Sequence, residues 1–173
     1  QLWLASSLLS DAVAIAGQSL IASALARADG KRARAIIRIM CSWGILAAAG
    51  TSSLLLLGGA PLRALFTTNP AVLLSCAAAW PFVVATQPLN VAAFVADGML
   101  FGASDFLACS IMAIASATPA VLVMQLALSR RDHDAGLLLV WAGLALFMFL
   151  RGLLGTIRVA SCRGPWVALR LSH

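Results

Sequence analysis

Residues 2–26 read LWLASSLLSDAVAIAGQSLIASALA, twenty-five residues with one charge, Asp11, and no proline. About 20 predominantly apolar residues in a helix cross a hydrocarbon core, so this run alone predicts a transmembrane helix over 2–26. Working outward, four further runs meet the same test. Residues 38–60 carry no charge after Arg38; 70–96 carry none but contain Pro81 and Pro88; 106–128 contain Pro119; 135–158 meet Arg151 near their end. Helices and closed barrels are the structures that span lipid, because unpaired backbone groups are too costly there. None of the five runs has the in/out alternation of a barrel strand. The expected fold class is therefore an all-α membrane protein, a bundle of five transmembrane helices, with residues 159–173 as a cytoplasmic tail. Composition agrees: 62% of the 173 residues are hydrophobic, 10% are charged, and the mean hydropathy is +0.98. A soluble fold of this size could not hide so much apolar surface, and disordered chains lack it.

The charges set an orientation. Twelve Lys and Arg face six acids, all Asp, for a net charge of +6. The cations lie between apolar runs, which fits topogenic charges flanking membrane spans and gives no reason to expect nucleic acid as a partner. Arg27, Lys31, Arg32, Arg34 and Arg38 follow the first span, and Arg158, Arg163 and Arg170 follow the last, eight on one side. Arg63, Arg130 and Arg131 make three on the other. The positive-inside rule places the eight in the cytoplasm and starts the first span outside. An external start implies an odd number of earlier helices or a translocated N-terminus. The opening QLWLASSLL, without Met or a basic leader, reads as truncated. Asp29-Gly30 is a turn pair, Asn69-Pro70 fits an N-cap followed by Pro at N1, and Asp134 is a candidate cap for the last helix.

A charge at bilayer depth usually faces a cavity or a partner, which singles out Asp11. At 100° per residue, Ser7, Asp11 and Gln18 form one polar stripe. That stripe suits a protonatable or cation-binding carboxylate on a substrate path, or a protonated Asp bonding a neighbouring helix. Gln87 and Asn90 form a second polar set, sharing a face with Trp80 and Phe94. Pro81 and Pro88 each remove a backbone donor, so a bent helix with freed carbonyls is expected beside them. Gly98 and Gly102 form a GxxxG pattern at the inner end of that span, read with Asp97 and Asp105 as an inner turn. Cys41, Cys76, Cys109 and Cys162 lie far apart and read as packing residues. The chain has no Glu and two His, His133 and His173. Zinc-protease and serine-nucleophile arrangements are therefore missing, and neither catalysis, a metal nor a cofactor is expected.

Four segments in order resemble the multidrug and toxic compound extrusion (MATE) family, in its DinF-like plant and algal branch. They are LWLASSLLSDAVAIAGQSLIASALARADGKRARAI (2–36), PLRALFTTNPAVL (61–73), QPLNVAAFVADGMLFGASDF (87–106) and LALFMFLRGLLGTIR (144–158). The resemblance implies a twelve-helix, two-lobe transporter in which these spans are helices 8–12, a partial C-lobe within residues 1–158, with a missing N-lobe as its partner in the same chain. It further implies antiport of organic solutes (drugs, organic cations or carboxylate anions) against H⁺ or Na⁺, in the plasma membrane or plastid envelope. One departure is clear: other branches carry an acid where Asn90 stands, which leaves Asp11 as the intramembrane acid of this lobe. A non-transporting membrane scaffold or assembly subunit is the alternative from a different class.

Overall fold

A computed structural model describes residues 2–128 and 133–170, without the side chains of Leu2, His133 and Asp134. Arg130, Arg131 and His173, and with them the Asp134 cap, lie outside the described residues. Eight α-helices and one 3-10 turn account for the described fold, and no strand occurs among those residues. They are α1 (Leu2–Ala26), α2 (Gly30–Leu57), α3 (Gly59–Ala64), α4 (Pro70–Ala85), α5 (Gln87–Gly102), α6 (Phe106–Leu128), α7 (His133–Ala160), the 3-10 turn Gly164–Trp166, and α8 (Val167–Arg170). Helices α1, α2, α6 and α7 are each long and apolar enough to cross a membrane, and the bent pair α4–α5 makes a fifth span when taken as one broken helix. The chain is a multi-pass membrane protein, and its surface says so: Leu8, Ile45, Leu57, Leu74, Ile114 and Leu128 are all largely exposed. Outward-facing aliphatic side chains of that size suit lipid, not water.

Three boundaries depart from expectation. Helix α2 begins at Gly30, two turns before residue 38, because Asp29 caps it by accepting a bond from the Arg32 N–H at 2.9 Å. Its basic first turns are helix outside the apolar run, which a hydropathy window cannot see. The span expected as one helix over 70–96 is two, meeting at 47°. The break falls at Thr86, just before Gln87-Pro88, whereas Pro81 sits inside α4 and leaves it helical. Pro88 disfavours helical geometry in the residue before it, so the helix yields there. Gly98 and Gly102 do not form a turn: both are helical residues of α5, and the turn is Ala103–Asp105, with Ser104 at φ +54°.

Helix α5 is the centre of the bundle, packed on α1, α2 and α7, and every residue from Val95 to Leu100 is buried. Small residues let it in. A Cβ on Gly98 would lie 2.6 Å from the Ala14 carbonyl oxygen, and one on Gly102 would lie 2.7 Å from that of Gln18. From α7, Gly152 and Gly155 approach Ala92, Ala93 and Ala96 in the same manner. These contacts rise in step along both helices, so α1, α5 and α7 run parallel. Gly143 lies against Ala120 and Met124 and Gly136 against Ala127, so α6 runs antiparallel to α7. Between helices in lipid, close backbone approach of this kind is a main source of association.

Gly98→Leu is expected to destabilise the bundle by about 1–3 kcal/mol, since its neighbour is backbone and cannot swing aside. Gly50, where an added Cβ would meet nothing within 4 Å, is the control. Thermal melting of the intact protein in detergent should show a fall for Gly98→Leu and none for Gly50→Leu; equal behaviour would remove the packing argument.

Candidate functional site

The site is built on the α1–α5 seam. Ser7, Ser10, Ala14, Gly17, Ile21 and Ala24 are buried, a spacing of three and four that turns one narrow face of α1 into the bundle, toward α5 and, at Gly17, toward Met40 of α2. Asp11 and Gln18 stand one step outside this seam, on its flank, and are half-buried. The polar stripe expected from the sequence is thus divided. Ser7 lies in the seam and donates to the Leu4 carbonyl at 2.6 Å, while Asp11 and Gln18 edge it. Among the described residues, Asp11 has no hydrogen-bond or ion-pair partner.

At the kink, polar groups from both helices meet. Ser6 Oγ donates to Gln87 Oε1 at 3.0 Å, and Trp3 Nε1 donates to Thr86 Oγ1 at 3.2 Å. Gln87, fully buried, turns its Nε2 back to the Val83 carbonyl at 3.0 Å. In an unbroken helix that carbonyl would take the backbone N–H of residue 87, so the side chain repairs the break that Pro88 enforces. Phe82 keeps its bond from the Thr86 N–H at 2.9 Å, so the carbonyls that lose their ordinary donor are those of Val83 and Val84, about two turns from Asn90 and not beside it. Asn90 itself is 0% exposed, and neither its amide nitrogen nor its oxygen has a partner. Ser10 Oγ is in the same state. Ser10 lies between Ser6 and Ala14 on the seam of α1, and Asn90 between Gln87 and Gly98 on that of α5. Buried polar groups are almost always satisfied, so orphaned ones in a seam mark a place for water, an ion or a solute group.

Two acids at the inner end are spoken for. Asp97, 7% exposed, pairs with Arg151 Nη2 at 2.5 Å. Asp105 precedes α6, and its carboxylate takes Arg158 through Nε at 2.8 Å and Nη2 at 3.2 Å, with Trp166 Nε1 at 3.2 Å. Both pairs tie α7 to α5 or its turn, and the buried Trp166 fastens the C-terminal segment beneath the bundle, where Arg34 of α2 donates to the Leu169 carbonyl. Asp97, Gly98, Gly102 and Asp105 thus hold helices together and do not meet Asp11, Gln87 or Asn90. No group of three or more His, Cys, Asp or Glu side chains gathers among the described residues. Ser6, Ser10, Thr86 and Trp3 were not singled out by the sequence; the three-and-four spacing of small residues in α1 was the signal for Ser10.

No family model matches the chain, and no solved structure matches it. Curated relatives do. Over 98% of its length the chain is 39% identical to Protein DETOXIFICATION 42, 36% to Protein DETOXIFICATION 43 and 36% to Protein DETOXIFICATION 44, chloroplastic, all of Arabidopsis thaliana. It spans about a third of the length of each (32%).

Proposed function

We propose, from the premise that nearly the whole chain matches a segment of MATE transporters, that this bundle is the partial C-lobe of a secondary antiporter. The observation that carries the reading is Asp11: an acid midway along an apolar span, half-buried, unpartnered among the described residues, and next in the chain to the orphaned Ser10. Such a group is expensive in lipid and tolerable beside an aqueous path, where it can take and release a proton or Na⁺. The bent α4–α5 span supplies the second element, since broken helices near mid-membrane are where transporters place solutes. The solute is an organic molecule with hydrogen-bonding groups, and the orphaned Ser10 and Asn90 are the polar groups of the seam that have none of their own to meet. The partner lobe is the remainder of a chain of the relatives' length, and the membrane is the plasma membrane or the plastid envelope, one relative being named chloroplastic. The test is solute accumulation by the intact protein in proteoliposomes under imposed H⁺ or Na⁺ gradients, with panels of anions and cations. Flux indifferent to both gradients would overturn antiport.

The orientation has its own check. In a background without native cysteines, Lys31→Cys and Arg163→Cys are expected to label from the cytoplasmic side and Thr68→Cys from the other. Labelling of Lys31→Cys and Thr68→Cys from one side would overturn the five-span arrangement.

A further inference from the structure

We propose a binding site for an anionic amphiphile at the opposite end of the bundle from the two ion pairs, independent of the transport reading. A cavity of about 290 Å³ opens there between α1, α3, α4 and α7, with Trp3, Trp80, Trp141, Phe66 and Cys76 among its walls and Arg63 as its charged group. Its size is at the lower end of small-molecule sites.

The local structure fixes the guanidinium rather than leaving it to snorkel. Arg63 belongs to the short helix α3, and its Nε donates to the Gly59 carbonyl at 2.9 Å. Its Cζ sits 5.2 Å from the centre of the Trp80 ring. Trp80 is held in turn by its Nε1 bond to the Leu55 carbonyl at 3.0 Å and by close contact with Gly59, where a Cβ would fall 2.7 Å from Nε1. Trp3 is pinned by its bond to Thr86. These two indoles are thus positioned before any ligand arrives.

Arg63 makes no ion pair among the described residues, where the pairs are Arg151–Asp97 and Arg158–Asp105. Its two terminal amino groups remain as donors after Nε is used. A fixed guanidinium with no carboxylate partner among the described residues, facing indole walls, selects one anionic group at the rim and an apolar body against the rings. An organic cation is repelled, and a neutral apolar molecule leaves the guanidinium unmet. A phospholipid headgroup with its acyl chain and a soluble aromatic or alkyl anion share this chemistry.

The test uses the intact protein in nanodiscs of zwitterionic lipid, with 1-naphthoate as the probe and 1-naphthylmethanol as its neutral counterpart. Saturable naphthoate binding is expected, weakened about ten-fold or more by Arg63→Gln, as befits loss of a charge-assisted contact. Trp141→Leu, which removes a wall without touching the charge, should weaken binding as well and guards against a folding defect in the Arg63 variant. If phosphatidylglycerol in the disc displaces naphthoate from the wild type, the natural source is the bilayer; if it does not, the source is a soluble anion. Equal binding of naphthoate and naphthylmethanol would overturn the proposal. So would a Trp141→Leu variant with wild-type affinity, or an Arg63→Gln variant that melts normally and binds as before.

Discussion

Arg151→Met is expected to destabilise the folded bundle by about 3–5 kcal/mol, because it strands a buried carboxylate. Asp97 is 7% exposed and sits in the stretch of α5 that is enclosed on every side. Its Oδ2 lies 2.5 Å from Arg151 Nη2, and the guanidinium lies over the Phe147 ring, with Cζ 5.6 Å from its centre. Met preserves much of that apolar contact and removes the charge, so the loss reports the carboxylate left behind. Taking both charges away is a different matter, since burying a pair brings a desolvation penalty comparable to its attraction. Asp97→Asn combined with Arg151→Met should therefore recover most of the stability lost in Arg151→Met alone. Thermal unfolding of the intact protein in detergent reads both. A double variant as unstable as the single one would mean that the pair acts through packing of the arginine stem, not through charge compensation.

The sequence made the spans legible because their composition conflicts with nothing. Residues 2–26 are apolar along their length, end at a run of cations, and form α1 with those bounds. Helix α2 was harder at its start: the apolar run begins near residue 38, but the helix is set by the Asp29 cap at residue 30. Gly98 and Gly102 show a true ambiguity. Glycines four apart mark either a turn or a close helix contact, and only the position of Ala14 and Gln18 on a distant helix decides between them. Nor could the sequence assign Arg151 to Asp97, a pairing made by the parallel packing of α5 and α7. The candidate site was half-legible. Asp11 announced itself by its cost in lipid, and Gln87 and Asn90 by their polarity in an apolar run. The buried seam beside Asp11, with Ser10 in it, was masked because a polar stripe centred on Asp11 draws the eye about 80° away from the packed face.

Asp11→Asn is expected to abolish ion-driven accumulation while leaving the protein folded. Coupling requires a group whose charge changes within the cycle, and Asn keeps the shape and the hydrogen-bonding capacity of Asp without ionising. Folding should hold because the side chain has no partner among the described residues, so its replacement breaks no bond there. Removing an ionisable group from mid-span eases insertion, by at most about 2.5–3.5 kcal/mol on insertion scales. Exchange of solute down its own gradient should survive, because Ser10, Gln87 and Asn90 remain in place. The competing role, a protonated Asp bonding a neighbouring helix, makes the opposite pair of predictions. Asn would then substitute without loss of transport, and Asp11→Ala would destabilise by about 1–3 kcal/mol through a lost buried hydrogen bond. The coupling role instead has Asp11→Ala fold as well as the wild type and fail as Asp11→Asn fails. Accumulation and passive exchange, measured in the same proteoliposomes with melting temperatures as the control for folding, separate the two. Full ion-driven uptake by Asp11→Asn would move the coupling acid away from this helix, and with Asp97 and Asp105 each already tied to an arginine, away from these five spans.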